Sequence, residues 1–88
     1  MKKIGLVGGL GPASTVAYYE GLMDISHREK GADFYPEIVI DSVNMTAHME
    51  ALSKKDYDGL GALLLKSLEN LKAAGAQIAA VTALDGHL

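Results

Sequence analysis

Residues Ile4-Gly5-Leu6-Val7-Gly8-Gly9-Leu10-Gly11-Pro12 form an aliphatic run that breaks into glycines and then meets a proline. No other segment constrains the fold as strongly. A short apolar run closed by glycines suits a buried parallel strand, and a proline just past the glycines presets the φ of a first helical turn. A strand that turns straight into a helix leaves backbone N–H groups open at the helix N-terminus, and in open α/β sheets ligands sit in that crevice. The junction is therefore a candidate binding site, with Gly9, Leu10 and Gly11 as its residues.

The pattern continues through the chain. A helix is predicted over Ala13 to Arg28, with Ser14 and Thr15 placed to cap open N–H groups and Val16, Tyr19, Leu22, Met23 and Ser26 spaced to face inward. Glu29 to Pro36 is polar, contains Gly31 and ends in proline, so it reads as a connection. Glu37 to Val43, β-branched at its centre, reads as the second strand, and Asn44 to Lys55 as a loop carrying a short helix through Ala47 to Leu52. From Asp56 to Ala74, Leu60, Leu63, Leu64, Leu68 and Leu71 recur at helical spacing, and Gly75 stands where a C-terminal glycine cap belongs. Gln77 to Ala83, with Ile78-Ala79-Ala80-Val81 at its heart, is the third strand.

The order β-α-β-α-β, joined by right-handed crossovers, predicts an α/β fold. It is a three-layer parallel sheet, one half of a doubly wound, flavodoxin-like domain, occupying residues 1–88 as a single truncated unit. No helix follows the third strand within the sequence, so that strand should lie uncovered unless a partner or a second copy covers it.

Composition narrows the chemistry. The net charge is −3 and the eight Lys and Arg are scattered, which gives no electrostatic footprint for nucleic acid. With no cysteine there is no disulfide, thiolate metal site or thiol nucleophile, and a reducing compartment such as the cytoplasm is expected. No apolar run approaches the roughly 18 residues of a spanning helix, so no membrane is expected as a partner. From Gly9 the residues run Gly-Leu-Gly-Pro-Ala-Ser, which lacks the third glycine of a dinucleotide fingerprint, and no Gly-Lys-Ser/Thr follows Gly8. The loop is left as a turn suited to a carboxylate or phosphate. His27, His48 and His87 are too far apart for a metal-ligand spacing, so no metal is expected. His87 and Asp85 nevertheless fall just past the third strand, at the carboxyl edge where sites gather, and Asp41 lies within the second strand.

The segments Lys2 to Pro12, Ser14-Thr15, Tyr18-Tyr19 and Ala73-Ala74-Gly75-Ala76 together resemble the N-terminal half-domain of the aspartate/glutamate racemase superfamily, and the resemblance runs through Thr82. It implies an amino-acid racemase fold that works without a cofactor. In that family two cysteines, one from each half-domain, face the substrate α-carbon from opposite sides; one thiolate removes the proton and the other thiol returns one. The first cysteine falls in a Cys-Asn-Thr segment after the third strand, with a histidine two residues on. Here Ala83 stands at the cysteine, Leu84 at the asparagine and Asp85 at the threonine, while His87 matches. Thr82 is no substitute, because an alcohol does not ionise as a thiol does. The resemblance thus implies a racemase-family chain that binds a small amino acid or other carboxylate through Gly9, Leu10, Gly11, Thr82, Ala83, Leu84, Asp85 and His87 and is inactive as a cysteine-less half. The alternative is a carboxylate-binding or self-associating α/β module without catalysis, a homo-oligomer covering the third strand.

Overall fold

A computed structural model describes residues 2–82. Its elements are β1 (Ile4–Gly8), α1 (Pro12–Lys30), β2 (Ile38–Ser42), α2 (Met45–Ser53), α3 (Tyr57–Ala73) and β3 (Ile78–Val81). The strands form one parallel sheet in the order β2-β1-β3, so the aliphatic run that opens the sequence is the central strand. In register, Ile4 lies between Ile38 and Ile78, and Val7 between Asp41 and Val81. This is the α/β parallel sheet that the sequence predicts.

Alternation along β1 sends successive residues to opposite faces. A Cβ added to Gly5 would meet Leu71 and Ala76, at and just past the end of α3, whereas one added to Gly8 would meet Thr15 of α1. The two crossovers therefore pass over opposite faces, as right-handed connections running in opposite directions across the sheet require. Three layers result: α1, the sheet, and α3 with α2 packed against it. The core lies on the α3 side, where Val7, Leu10, Val43 and Leu71 pack together with Val39, Met45, Leu63, Leu64 and Ala76 around them.

Local chemistry accounts for the boundaries. Asp56 caps α3, its Oδ1 accepting from Gly59 N–H at 2.9 Å. At the other end Ala76 N–H donates to Leu71 O at 3.0 Å and Gly75 N–H to Lys72 O at 2.9 Å, a Schellman pair that Gly75 permits with its φ of 93°. That turn does more than stop the helix. It delivers Ala76 onto the central strand, where a Cβ on Gly5 would come within 2.9 Å of the Ala76 Cβ.

Two features depart from expectation. The short helix expected between Asn44 and Lys55 is present but longer, α2 running Met45–Ser53, because Asn44 Oδ1 accepts from Ala47 N–H at 3.1 Å and no breaker intervenes before Lys55, whose φ is 55°. The element order is accordingly β-α-β-α-α-β. The predicted inner stripe of α1 is also only partly buried: Leu22, Met23 and Ser26 are half-buried, but Val16 is 57% and Tyr19 40% exposed. On that side the helix meets a sheet only three strands wide, and Ile40 and Ile78 of the same face are left exposed too. β3 is exposed along its whole length, and no described element packs over it beyond its pairing with β1. None of the described helices is long and apolar enough to cross a membrane.

With so few residues fully buried, the fold should be sensitive to its central packing. Leu71→Ala removes a side chain only 1% exposed, which typically costs ~2–5 kcal/mol. Its thermal unfolding midpoint should fall by about 10 °C or more. Gly5→Ala should also destabilise, by ~1–3 kcal/mol through overpacking. A chemical or thermal melt checks both.

Candidate functional site at the carboxyl edge of the sheet

The carboxyl ends of the three strands meet around the loop between β1 and α1. Gly8 closes β1, and its carbonyl accepts from Val43 N–H at 2.8 Å just past β2. Gly9 has a φ of 84°, and a Cβ there would fall 2.6 Å from both Ser42 Oγ and Val43 O. Only glycine lets the chain pass β2 this closely. Leu10 then turns its side chain into the core, 5% exposed, so that of this residue only the backbone faces the junction. Gly11 is the N-cap of α1, with Pro12 at the first helical position.

No side chain caps the first turn of α1, contrary to the capping expected of Ser14 and Thr15. Gly11 O accepts from Ser14 N–H at 3.0 Å and, more weakly, from Thr15 N–H at 3.4 Å. The Thr15 hydroxyl reaches backward, accepting from Gly9 N–H at 3.0 Å and lying 3.0 Å from Thr82 Oγ1. Thr82 is fully buried at the end of β3, and its hydroxyl donates to Val7 O at 3.0 Å. Val7 O also accepts from Thr82 N–H, which continues the β1–β3 ladder one step past the strand.

The sequence-derived site residues thus fall into three groups. Gly9, Gly11 and the Leu10 backbone are brought together with Thr82 at one end of the sheet. Within that group Gly9 N–H is already bonded, and no acceptor among the described residues serves the N–H groups of Leu10, Gly11 and Ala13. Those amides at a helix N-terminus are what an anion would find there. Ala83, Leu84, Asp85 and His87 lie outside the described residues. Asp41 is tied structurally instead: its Oδ1 accepts from Asn70 Nδ2 at 3.2 Å, bracing β2 against α3. His27 sits in the last turns of α1 with its ring edge-on to Tyr35.

Sequence reasoning missed Thr15 as part of the junction. A signal was present: a threonine four residues after the N-cap glycine lies one turn into the helix, over the strand that precedes it. Its contact with the junction also explains Gly8, since a Cβ there would come 2.8 Å from Thr15 Cγ2.

Fold and junction together define one half of a doubly wound α/β domain with its glycine loop at the carboxyl edge of the sheet. Among solved structures the chain matches two racemase-like proteins. An aspartate racemase homologue from Pyrococcus horikoshii superposes with a TM-score of 0.88 at 34% identity over 99% of this chain. A candidate Asp/Glu racemase from Yersinia pestis superposes at 0.89 with 29% identity over 93%. The chain spans 38% and 36% of the length of those proteins, so what it resembles is a half-domain of the aspartate/glutamate racemase superfamily. No family model and no curated protein matches it.

Because Gly9 is held between a positive φ and the exit of β2, Gly9→Ala should destabilise the protein by ~1–3 kcal/mol. Gly21→Ala, in α1 with nothing within 4 Å of the added Cβ, should instead be neutral or stabilise by up to ~1 kcal/mol. Melting curves of the two variants should move in opposite directions.

Proposed function

We propose that this chain is a racemase-family half-domain that holds the carboxylate of a small acidic amino acid at the β1–α1 junction and does not itself racemise it. The observation that carries the reading is the row of amides at Leu10, Gly11 and Ala13 that no acceptor among the described residues serves, set at a helix N-terminus beside the tips of parallel strands. The likeness to racemase-like proteins supports an amino acid as the carboxylate's owner.

The absence of turnover follows from proton chemistry. An amino-acid α-proton is weakly acidic, so inverting the centre needs a base on one face, an acid on the other, and donors that stabilise the carbanion-like state. The sequence has no cysteine to supply either partner. Thr15 and Thr82 are alcohols, and each is already engaged in the hydrogen bonds described above. Carboxylate binding is thus separable from proton transfer here.

Titrating the chain with L-aspartate or L-glutamate while following backbone amide shifts should perturb Leu10, Gly11 and Ala13 first. Prolonged incubation followed by chiral separation should show no D-isomer above the buffer control. Amide shifts that stay unmoved at millimolar ligand would remove the binding half of the proposal, and a D-isomer would remove the inactive half.

A second reading is favoured by β3, where Ile78 is 50% and Val81 45% exposed on a strand with one unpaired edge. Such an edge is a template for strand addition by another copy, which would give a module that associates through β3. Sedimentation over a concentration series should then show a dimer that Ala79→Pro abolishes, because the Ala79 N–H faces the free edge whereas those of Ala80 and Thr82 face β1; a monomer at every concentration eliminates this reading.

A further inference from the structure

The hydroxyl contacts at the junction have only one consistent arrangement of protons. Each threonine hydroxyl owns one hydrogen and can accept through its lone pairs. Thr82 Oγ1 and Val7 O lie 3.0 Å apart in a fully buried place, and a carbonyl cannot donate, so the Thr82 hydrogen lies between them. If it turned to Thr15 instead, two buried oxygens would face each other with no proton between. In the 3.0 Å contact of the two hydroxyls Thr15 is therefore the donor. Thr15 also accepts from Gly9 N–H at 3.0 Å, which gives a one-way chain: Gly9 N–H to Thr15 O–H to Thr82 O–H to the Val7 carbonyl.

From this chain we propose that Thr15 is the positioning residue of the glycine loop, its hydroxyl clamping Gly9 to the buried end of β3 so that the following amides are held ready for a carboxylate. The proposal rests on the carboxylate reading above and adds to it a division of labour. Neither hydroxyl has a hydrogen left to offer a ligand, so Thr15 and Thr82 act as struts while the backbone amides do the binding. Hydrogen bonds arranged head to tail reinforce one another, and this chain runs from a part-buried amide to a buried carbonyl, so removal of one member loosens the rest. The threonine methyl contributes too, since Thr15 Cγ2 occupies the space left by the missing side chain of Gly8.

Three variants of the whole chain test this, each read by backbone amide exchange at Gly9 and by L-aspartate titration, with a melting curve as the folding control. Thr15→Val keeps the shape but leaves Gly9 N–H without an acceptor; its exchange should quicken about tenfold and aspartate affinity should fall about tenfold. Thr15→Ser keeps the hydroxyl and should return both to within about threefold of the parent. If Thr15→Val does not fold, Thr82→Val still interrupts the chain with Thr15 in place, and Gly9 exchange should then quicken about threefold. Unchanged Gly9 exchange in the folded valine variant overturns the clamp. Faster exchange with aspartate affinity unaltered also overturns Thr15 as a positioning residue, while the carboxylate reading stands. A parent chain that binds no aspartate, with Gly9 exchange still dependent on the hydroxyl, overturns the carboxylate reading and leaves the clamp intact as a property of the loop.

Discussion

Close approach to the central strand is the constraint on which the rest of this structure depends. β1 carries no side chain at Gly5 or Gly8, and each gap is taken by a neighbour from the opposite layer: Leu71 and Ala76 on one face, Thr15 on the other. The layers are thereby held at a spacing that a Cβ would not tolerate. The two gaps also have different consequences. That at Gly5 lets the core close over Leu71, and that at Gly8 lets α1 bring a hydroxyl to the carboxyl edge of the sheet.

Much of this was legible in the sequence because the signals were local. The aliphatic run of β1, the leucine spacing of α3, the Gly75 cap and the small residues of β3 each carry a period or a turn preference that few alternatives share. The right-handed crossover rule then left little choice of topology. What escaped was decided by features that carry no period in the sequence. α2 depends on an Asn44 cap within a stretch of weak periodicity. The exposure of Val16 and Tyr19 depends on how much sheet lies beneath α1, which helical spacing alone does not reveal.

The candidate site was read with the same mixture. The glycine loop announced itself, and its place beside Thr82 follows from strand order. Its internal wiring did not: Gly9 N–H, counted from sequence among the open amides, is bonded to Thr15, and the Leu10 side chain belongs to the core. The amides left without an acceptor among the described residues begin one residue further along the loop as a result. The racemase-like relatives are more than twice as long as this chain, which bears on the exposed faces of α1 and β3: each presents apolar residues to water that a larger domain has the means to cover.

The hydroxyl bridge joins residues 67 positions apart in the chain. Within β1 and α1 the loop is tied by the Gly9–Thr15 bond alone, and the buried partner of that hydroxyl arrives only with β3. A nascent polypeptide that has emerged as far as α3 would own every glycine of the loop, and Thr15 with it, and still lack the buried end of the bridge. The bridge that steadies the glycine loop is consequently a late contact, finished only by the docking of a single buried threonine.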